Sequence, residues 1–95
     1  MTGLSNAAKR DIETVLHPYT NLDTFRSTGP LIIERGEGIH VFDSEGKEYI
    51  EGMAGLWCTS LGYSEAELID AATEQMRQLP FGHVFGGRSH ERAAE

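Results

Sequence analysis

Apolar positions switch period along the chain, and each switch marks a new element. In residues 4–16, Ala8, Ile12, Val15 and Leu16 fall at helical spacing, with Ser5 or Asn6 available as the cap. The spacing predicts a helix over 4–16, stopped by His17-Pro18, because proline disfavours the helical conformation in the residue before it. Residues 19–29 keep no period. Thr20, Asn21, Asp23, Ser27 and Thr28 supply turn chemistry, Tyr19 and Phe25 are the only aromatics, and the segment is expected to lie loosely on another part of its chain or on a neighbouring subunit.

The pattern then becomes that of short strands. Leu31-Ile32-Ile33, Ile39-His40-Val41-Phe42 and Lys47-Glu48-Tyr49-Ile50-Glu51 are separated by the turn-forming stretches Arg35-Gly36-Glu37-Gly38 and Asp43-Ser44-Glu45-Gly46. The second stretch has the form of a type I turn with glycine at its end. A three-stranded antiparallel meander follows, and one with an apolar face needs a further layer to cover it.

Gly52-Met53-Ala54-Gly55-Leu56-Trp57-Cys58, followed by Thr59-Ser60-Leu61-Gly62-Tyr63, breaks the alternation. Met53, Leu56 and Trp57 could share one helical face, but Gly52, Gly55 and Gly62 each weaken a helix by about 1 kcal/mol relative to Ala. Two readings of Trp57 stay open: a core plug between elements, favoured on this stretch alone, or the aromatic wall of a ligand pocket. Beyond the loop, Ser64 and Glu67 match a capping box, and Leu68, Ala72, Met76 and Leu79 predict a helix ended by Pro80. Phe81-Gly82-His83-Val84-Phe85-Gly86-Gly87 is a second aromatic, glycine-rich loop, and Ser89 is placed to cap a helix that is still running at Glu95. The fold class read from these elements is α+β: an N-terminal helix, the meander, a glycine-rich loop and a helix.

Charge narrows the partners. With 15 acidic against 8 basic residues, the latter scattered without a stripe, nucleic acid is not an expected partner. The single Cys cannot staple the chain, no apolar run approaches the roughly 20 residues of a membrane span, and the first sixteen residues hold Asp11 and Glu13 and no continuous apolar core. The expectation is a cytoplasmic domain with no membrane partner.

Candidate reacting groups are few. His83 and His90 are too far apart in sequence for a local metal pair, and His90-Glu91 lacks the second His that a zinc-protease pattern needs, because Ala94 stands there; no metal site is expected. Gly86-Gly87-Arg88-Ser89 before a helix start lacks the Walker lysine and the Rossmann spacing, so a plain loop is preferred over a phosphate cradle. Cys58 is expected to be buried and inert. Lys9 and Lys47 are the only amines for a Schiff base, one on a polar helix face and one after a surface turn. The residues suggest pocket walls and no catalytic engine.

His17-Pro18-Tyr19-Thr20, the Arg35-Gly36-Glu37-Gly38 to Lys47 hairpin, Glu51-Gly52-Met53-Ala54-Gly55-Leu56-Trp57-Cys58, Gly62-Tyr63 and Gln75-Met76 with Leu79-Pro80-Phe81 occur in an order and spacing that resembles the N-terminal segment of class III aminotransferases. The similarity is specifically to the omega-amino acid or amine:pyruvate branch, and Gly-Met-Ala-Gly-Leu-Trp-Cys is its most specific part. The resemblance implies an α/β parent, a fold type I pyridoxal-phosphate-dependent transferase. Residues 1–95 would then be its N-terminal segment, part of the small domain plus active-site loops, with the large domain absent and the Schiff-base lysine expected downstream. It implies a transaminase that moves an amino group from an amine or omega-amino acid to a keto acid, pyruvate above others, working as a homodimer or larger homo-oligomer. The 95 residues alone are expected to be inactive.

Carried over by position, the resemblance makes Tyr19, Leu56, Trp57 and Phe85 substrate-binding residues. It assigns no catalytic, cofactor-binding or metal-binding residue to this chain. His83-Val84-Phe85-Gly86-Gly87 with Ser89-His90-Glu91 is also similar to the diaminopelargonate-forming aminotransferases of the same class. Those carry a second Trp where this chain has Leu56, which favours the amine:pyruvate branch. A non-catalytic binding module and a degenerate remnant without function are the remaining alternatives.

Overall fold

Ser5 caps the first helix, accepting from the Ala8 N–H at 3.1 Å, and α1 runs Asn6–Thr14 in the computed structural model, which describes residues 3–95. The helix is shorter than its apolar stripe suggests. Thr14 Oγ1 donates back to the Arg10 carbonyl at 2.7 Å, a bond that competes with the helical ladder, and Val15 is already extended. A ring N–H of His17 donates to Asp11 Oδ2 at 2.6 Å, which ties the returning chain to the helix. Val15 and Leu16 therefore lie outside the helix and are exposed, while Ala8 is buried.

A second helix, α2 (Leu22–Thr28), replaces the loose segment expected over 19–29. The residues that read as turn formers act as its ends. Asn21 Oδ1 accepts from the N–H groups of Asp23 and Thr24, Asp23 and Arg26 suit the helix dipole, and Gly29 closes it at φ 70°. The rings of Phe25 and His17 meet at 4.8 Å between centroids.

The meander forms in the order β1 (Ile33–Glu37), β2 (His40–Asp43), β3 (Glu48–Ile50), antiparallel throughout. β1 starts two residues later than its apolar run and passes through Arg35-Gly36-Glu37, the stretch expected to turn. The reversal falls instead at Gly38 and Ile39, with Gly38 at φ 57°. A bulge between Ile33 and Arg35 resets the register and sets Arg35 opposite Phe42, where its guanidinium sits 3.5 Å from the ring centroid.

Asp43 ends β2 and is nearly buried at 9 % exposure. Its Oδ1 accepts from the Glu45 and Lys47 N–H groups and its Oδ2 from the Tyr49 hydroxyl, all at 2.9 Å, so one side chain builds the β2–β3 turn. Burial alone would push its carboxyl up in pKa. The Lys47 N–H, the Tyr49 hydroxyl and the Glu45 N–H outweigh that and hold it below the ordinary carboxylate value, while the same bond raises the Tyr49 phenol.

The chain divides into two units, residues 3–63 and 64–95. Among the described residues only Ala8 and Val41 are buried apolar side chains, at 4 % and 7 %, and both belong to the first unit. In the second, α4 (Ala66–Gln78) has Glu65 at its N-cap position, one residue after the Ser64 expected there, with Glu67 in the first turn and Arg77 in the last. The Gln75 side chain donates to the Leu79 carbonyl at 3.0 Å, satisfying an orphan group where Pro80 ends the run. A 3-10 turn, Phe85–Gly87, precedes α5 (Glu91–Ala94), whose N-cap position is taken by His90 instead of Ser89. Helices with one antiparallel meander make this an α+β arrangement, as the pattern predicts.

Candidate functional site

The glycine-rich loop folds into a single left-handed helical turn, α3 (Ala54–Trp57). Ala54, Gly55, Leu56 and Trp57 take φ of 50°, 60°, 59° and 71° in succession. Each L-residue in that conformation costs roughly 1–2 kcal/mol, so Ala54, Leu56 and Trp57 together store about 3–6 kcal/mol that neighbouring bonds must offset. The Trp57 N–H donates to the Met53 carbonyl at 2.9 Å, and the Cys58 and Thr59 N–H groups both donate to Ala54, at 2.9 and 2.8 Å. Glu51 Oε1 accepts from the Met53 N–H at 2.9 Å and steadies the approach to the turn.

The turn presents its side chains outward. Trp57 is 83 % exposed and Leu56 59 %, so Trp57 does not plug the fold. Tyr63 takes that place. Its ring lies against Gly36 in β1 so closely that a Cβ there would come within 2.5 Å of Tyr63 Cγ. Cys58 is likewise exposed and not buried as expected, because it follows the outward turn; its Sγ lies 3.4 Å from the Leu56 carbonyl.

Tyr19 sits on a separate turn between α1 and α2, fully exposed at φ 49°. Phe85 belongs to the second unit, 86 % exposed at the start of the 3-10 turn, with Gly86 and Gly87 after it at φ 67° and 81°. Of the four residues expected to bind substrate, Leu56 and Trp57 are brought together on one turn, and Tyr19 stands on another turn of the same unit. Three of the four take backbone conformations that L-residues avoid. Strain of this kind persists only where surrounding structure enforces it, and it concentrates at binding and catalytic sites.

The residues that carry the turn were not singled out by periodicity. Gly36 is the one with a usable signal, since a glycine inside a strand marks close approach of another group. Neither lysine offers a reacting amine in an enclosed site. Lys9 is exposed on α1, and Lys47 belongs to the Asp43 turn with its ammonium 5.1 Å from the Tyr49 ring centroid. Among the described residues no group of three or more His, Cys, Asp and Glu is placed to hold a metal ion, and no helix is long and apolar enough to cross a membrane.

Comparison with known proteins places these features in a family. The chain is 49 % identical over 75 residues to gamma aminobutyrate transaminase 1, mitochondrial, of Solanum lycopersicum, covering 79 % of this chain and 15 % of that protein. It is 38 % identical over 97 residues to the putrescine–pyruvate aminotransferase of Pseudomonas aeruginosa, covering 97 % and 21 %. The crystal structure of an omega transaminase from Pseudomonas jessenii in complex with PMP superposes at a TM-score of 0.89 with 52 % identity, covering 95 % of this chain and 20 % of that one. A thermostable omega transaminase variant, substituted at a tryptophan, a phenylalanine and an arginine for asymmetric synthesis of enantiopure bulky amines, matches at 0.89 with 49 % identity over 94 % of this chain and 20 % of its own. The chain thus spans between about a seventh and a fifth of the length of the proteins it matches. Residues 24–95, which include the meander, the left-handed turn and the Phe85 loop, match the model of the aminotransferase class-III family. This chain belongs to the class-III aminotransferases.

Proposed function

We propose that residues 1–95 form the N-terminal, substrate-pocket part of a transaminase that moves an amino group from an amine or omega-amino acid to a keto acid, pyruvate above others. The observation that carries this reading is the left-handed turn, which spends backbone strain to hold Leu56 and Trp57 uncovered. Tyr19, Leu56, Trp57 and Phe85 are its pocket walls, shaping an apolar space for the donor's side chain and giving specificity through fit. The engineered bulky-amine variant supports the assignment, since its substituted tryptophan and phenylalanine are separated by as many positions as Trp57 and Phe85.

Pyridoxal phosphate, the cofactor of this family, supplies the electron sink for amino transfer when bound. The residues described here do not fit it as hosts. Both lysines are committed to the surface, and Gly86-Gly87-Arg88-Ser89 has neither the Walker lysine nor the Rossmann spacing of a phosphate cradle. The Schiff-base lysine and the phosphate site are therefore assigned outside these 95 residues, whose part is to bind and orient the donor. A cytoplasmic homodimer or larger homo-oligomer belongs to the same reading.

The test is alanine formation from pyruvate by the protein at its native length, supplied with pyridoxal phosphate and putrescine, gamma-aminobutyrate or an arylalkyl amine in turn. Donor-dependent alanine is expected. Cofactor-loaded protein that yields none with any donor would overturn the reading.

A further inference from the structure

We propose that Tyr63 is a positioning residue for the Leu56–Trp57 wall, acting as a staple that fastens the far side of the left-handed turn to the β1–β2 hairpin. This rests on the pocket-wall reading above.

The staple has three parts. In its backbone, the Tyr63 N–H donates to the Gly38 carbonyl at 2.8 Å and the Gly38 N–H donates to the Tyr63 carbonyl at 3.1 Å, an isolated antiparallel bridge onto the hairpin tip. The ring occupies the face of β1 that Gly36 leaves bare, where a Cβ would meet Tyr63 Cγ, Cδ1 and Cβ at 2.5, 2.7 and 2.8 Å. The hydroxyl reaches the inside of the turn: a Cβ on Gly55 would lie 3.0 Å from Tyr63 Oη and 3.2 Å from Thr59 Oγ1. Thr59 Oγ1 is itself buried without a partner, and it lines a cavity of about 120 Å³ with Ala54, Gly62 and Tyr63.

The other side of the turn is held separately, by the Glu51 N–H on the Ile39 carbonyl at 2.8 Å and the Met53 N–H on the Glu51 side chain. Residues 52–62 are thus an arch with both feet on the hairpin. Three strained L-residues cannot hold a left-handed turn with one foot loose, so release of Tyr63 frees Leu56 and Trp57 together. A glycine at 36 is what lets the aromatic staple lie flat.

The experiment measures kcat/KM for a bulky arylalkyl amine and for a small aliphatic amine in the protein at its native length. Tyr63→Ala should raise the bulky-to-small ratio about 3- to 10-fold, in the same direction as Trp57→Gly, because a mobile wall excludes large donors less well. Within a Trp57→Gly background it should add nothing, since the two changes act through one wall. Tyr63→Phe keeps the bridge and the ring and should retain the wild-type ratio. Gly36→Ala, which displaces the ring without touching Tyr63, should reproduce Tyr63→Ala and decides the matter should that variant not fold. If Trp57→Gly shifts the ratio while Tyr63→Ala and Gly36→Ala leave it unchanged, or multiply it independently of Trp57, the staple is wrong and the wall stands. If Trp57→Gly itself changes nothing, the wall fails and the staple falls with it.

Discussion

Substituting Gly62 with Ala separates the bridge from the general burden of a left-handed residue. Gly62 and Gly46 share almost the same φ, 86° and 83°, so alanine meets a comparable positive-φ penalty at both and gains the same loss of unfolded-chain entropy. Their surroundings differ. A Cβ on Gly46 meets nothing within 4 Å, whereas one on Gly62 would come 2.7 Å from the Gly38 carbonyl oxygen and 3.1 Å from its carbon. Backbone atoms cannot step aside as a flexible side chain can, and Gly38 is the residue that bridges Tyr63. Gly62→Ala therefore breaks two hydrogen bonds that Gly46→Ala spares, each contributing about 0.5–1.5 kcal/mol. The difference between the variants is about 1–3 kcal/mol, which local opening converts into roughly 5- to 150-fold faster exchange. Hydrogen exchange of the Gly38 and Tyr63 amides in the native-length protein reads this directly. Equal acceleration at these amides in both variants would refute the reasoning.

Other outcomes follow from single contacts. Asp43, held below its ordinary pKa of 3.8, contributes stability that is fully present above that value and is lost as pH falls through its lower folded-state pKa. Thermal melts from pH 6 to pH 3 should show wild type losing its advantage over Asp43→Asn only at the acid end; a constant gap would contradict the assignment. Ser5→Ala removes the cap of α1 and should cost that helix about 1 kcal/mol, seen as faster exchange of its first-turn amides, with Ser5→Asp close to wild type.

How far the residues announce this structure depends on whether their role is local. The Asp43-Gly46 turn, the Ser5 cap and the meander's topology were legible because each follows from neighbours in sequence. The same logic erred at Asn21, where a residue good at turns is equally good at starting helices, and Asn21, Asp23 and Gly29 together bound α2. The glycine-rich loop was legible as irregular but not as left-handed. Nothing in Ala54, Leu56 or Trp57 favours positive φ; the conformation is imposed by hairpin contacts distant in sequence, chiefly the Tyr63–Gly38 bridge. Cys58 was expected inside, and Trp57 on its own stretch was read more readily as a core plug than as a pocket wall, because large or thiol side chains usually pack. Tyr63 on Gly36 occupies the available space, and the turn carries both outward. Trp57 was open to a pocket-wall reading from its own stretch, whereas Tyr19, Leu56 and Phe85 were proposed for the pocket only through resemblance, since exposed side chains have no periodicity to betray them.

The most direct test of the central claim is the donor-size selectivity of Trp57→Gly in the native-length protein. If Trp57 is a wall of the donor pocket, removing its indole should raise kcat/KM for a bulky arylalkyl amine relative to a small aliphatic amine by about tenfold or more, the scale on which pocket fit discriminates. A folded, cofactor-loaded variant whose ratio stays within about twofold of wild type would contradict the account.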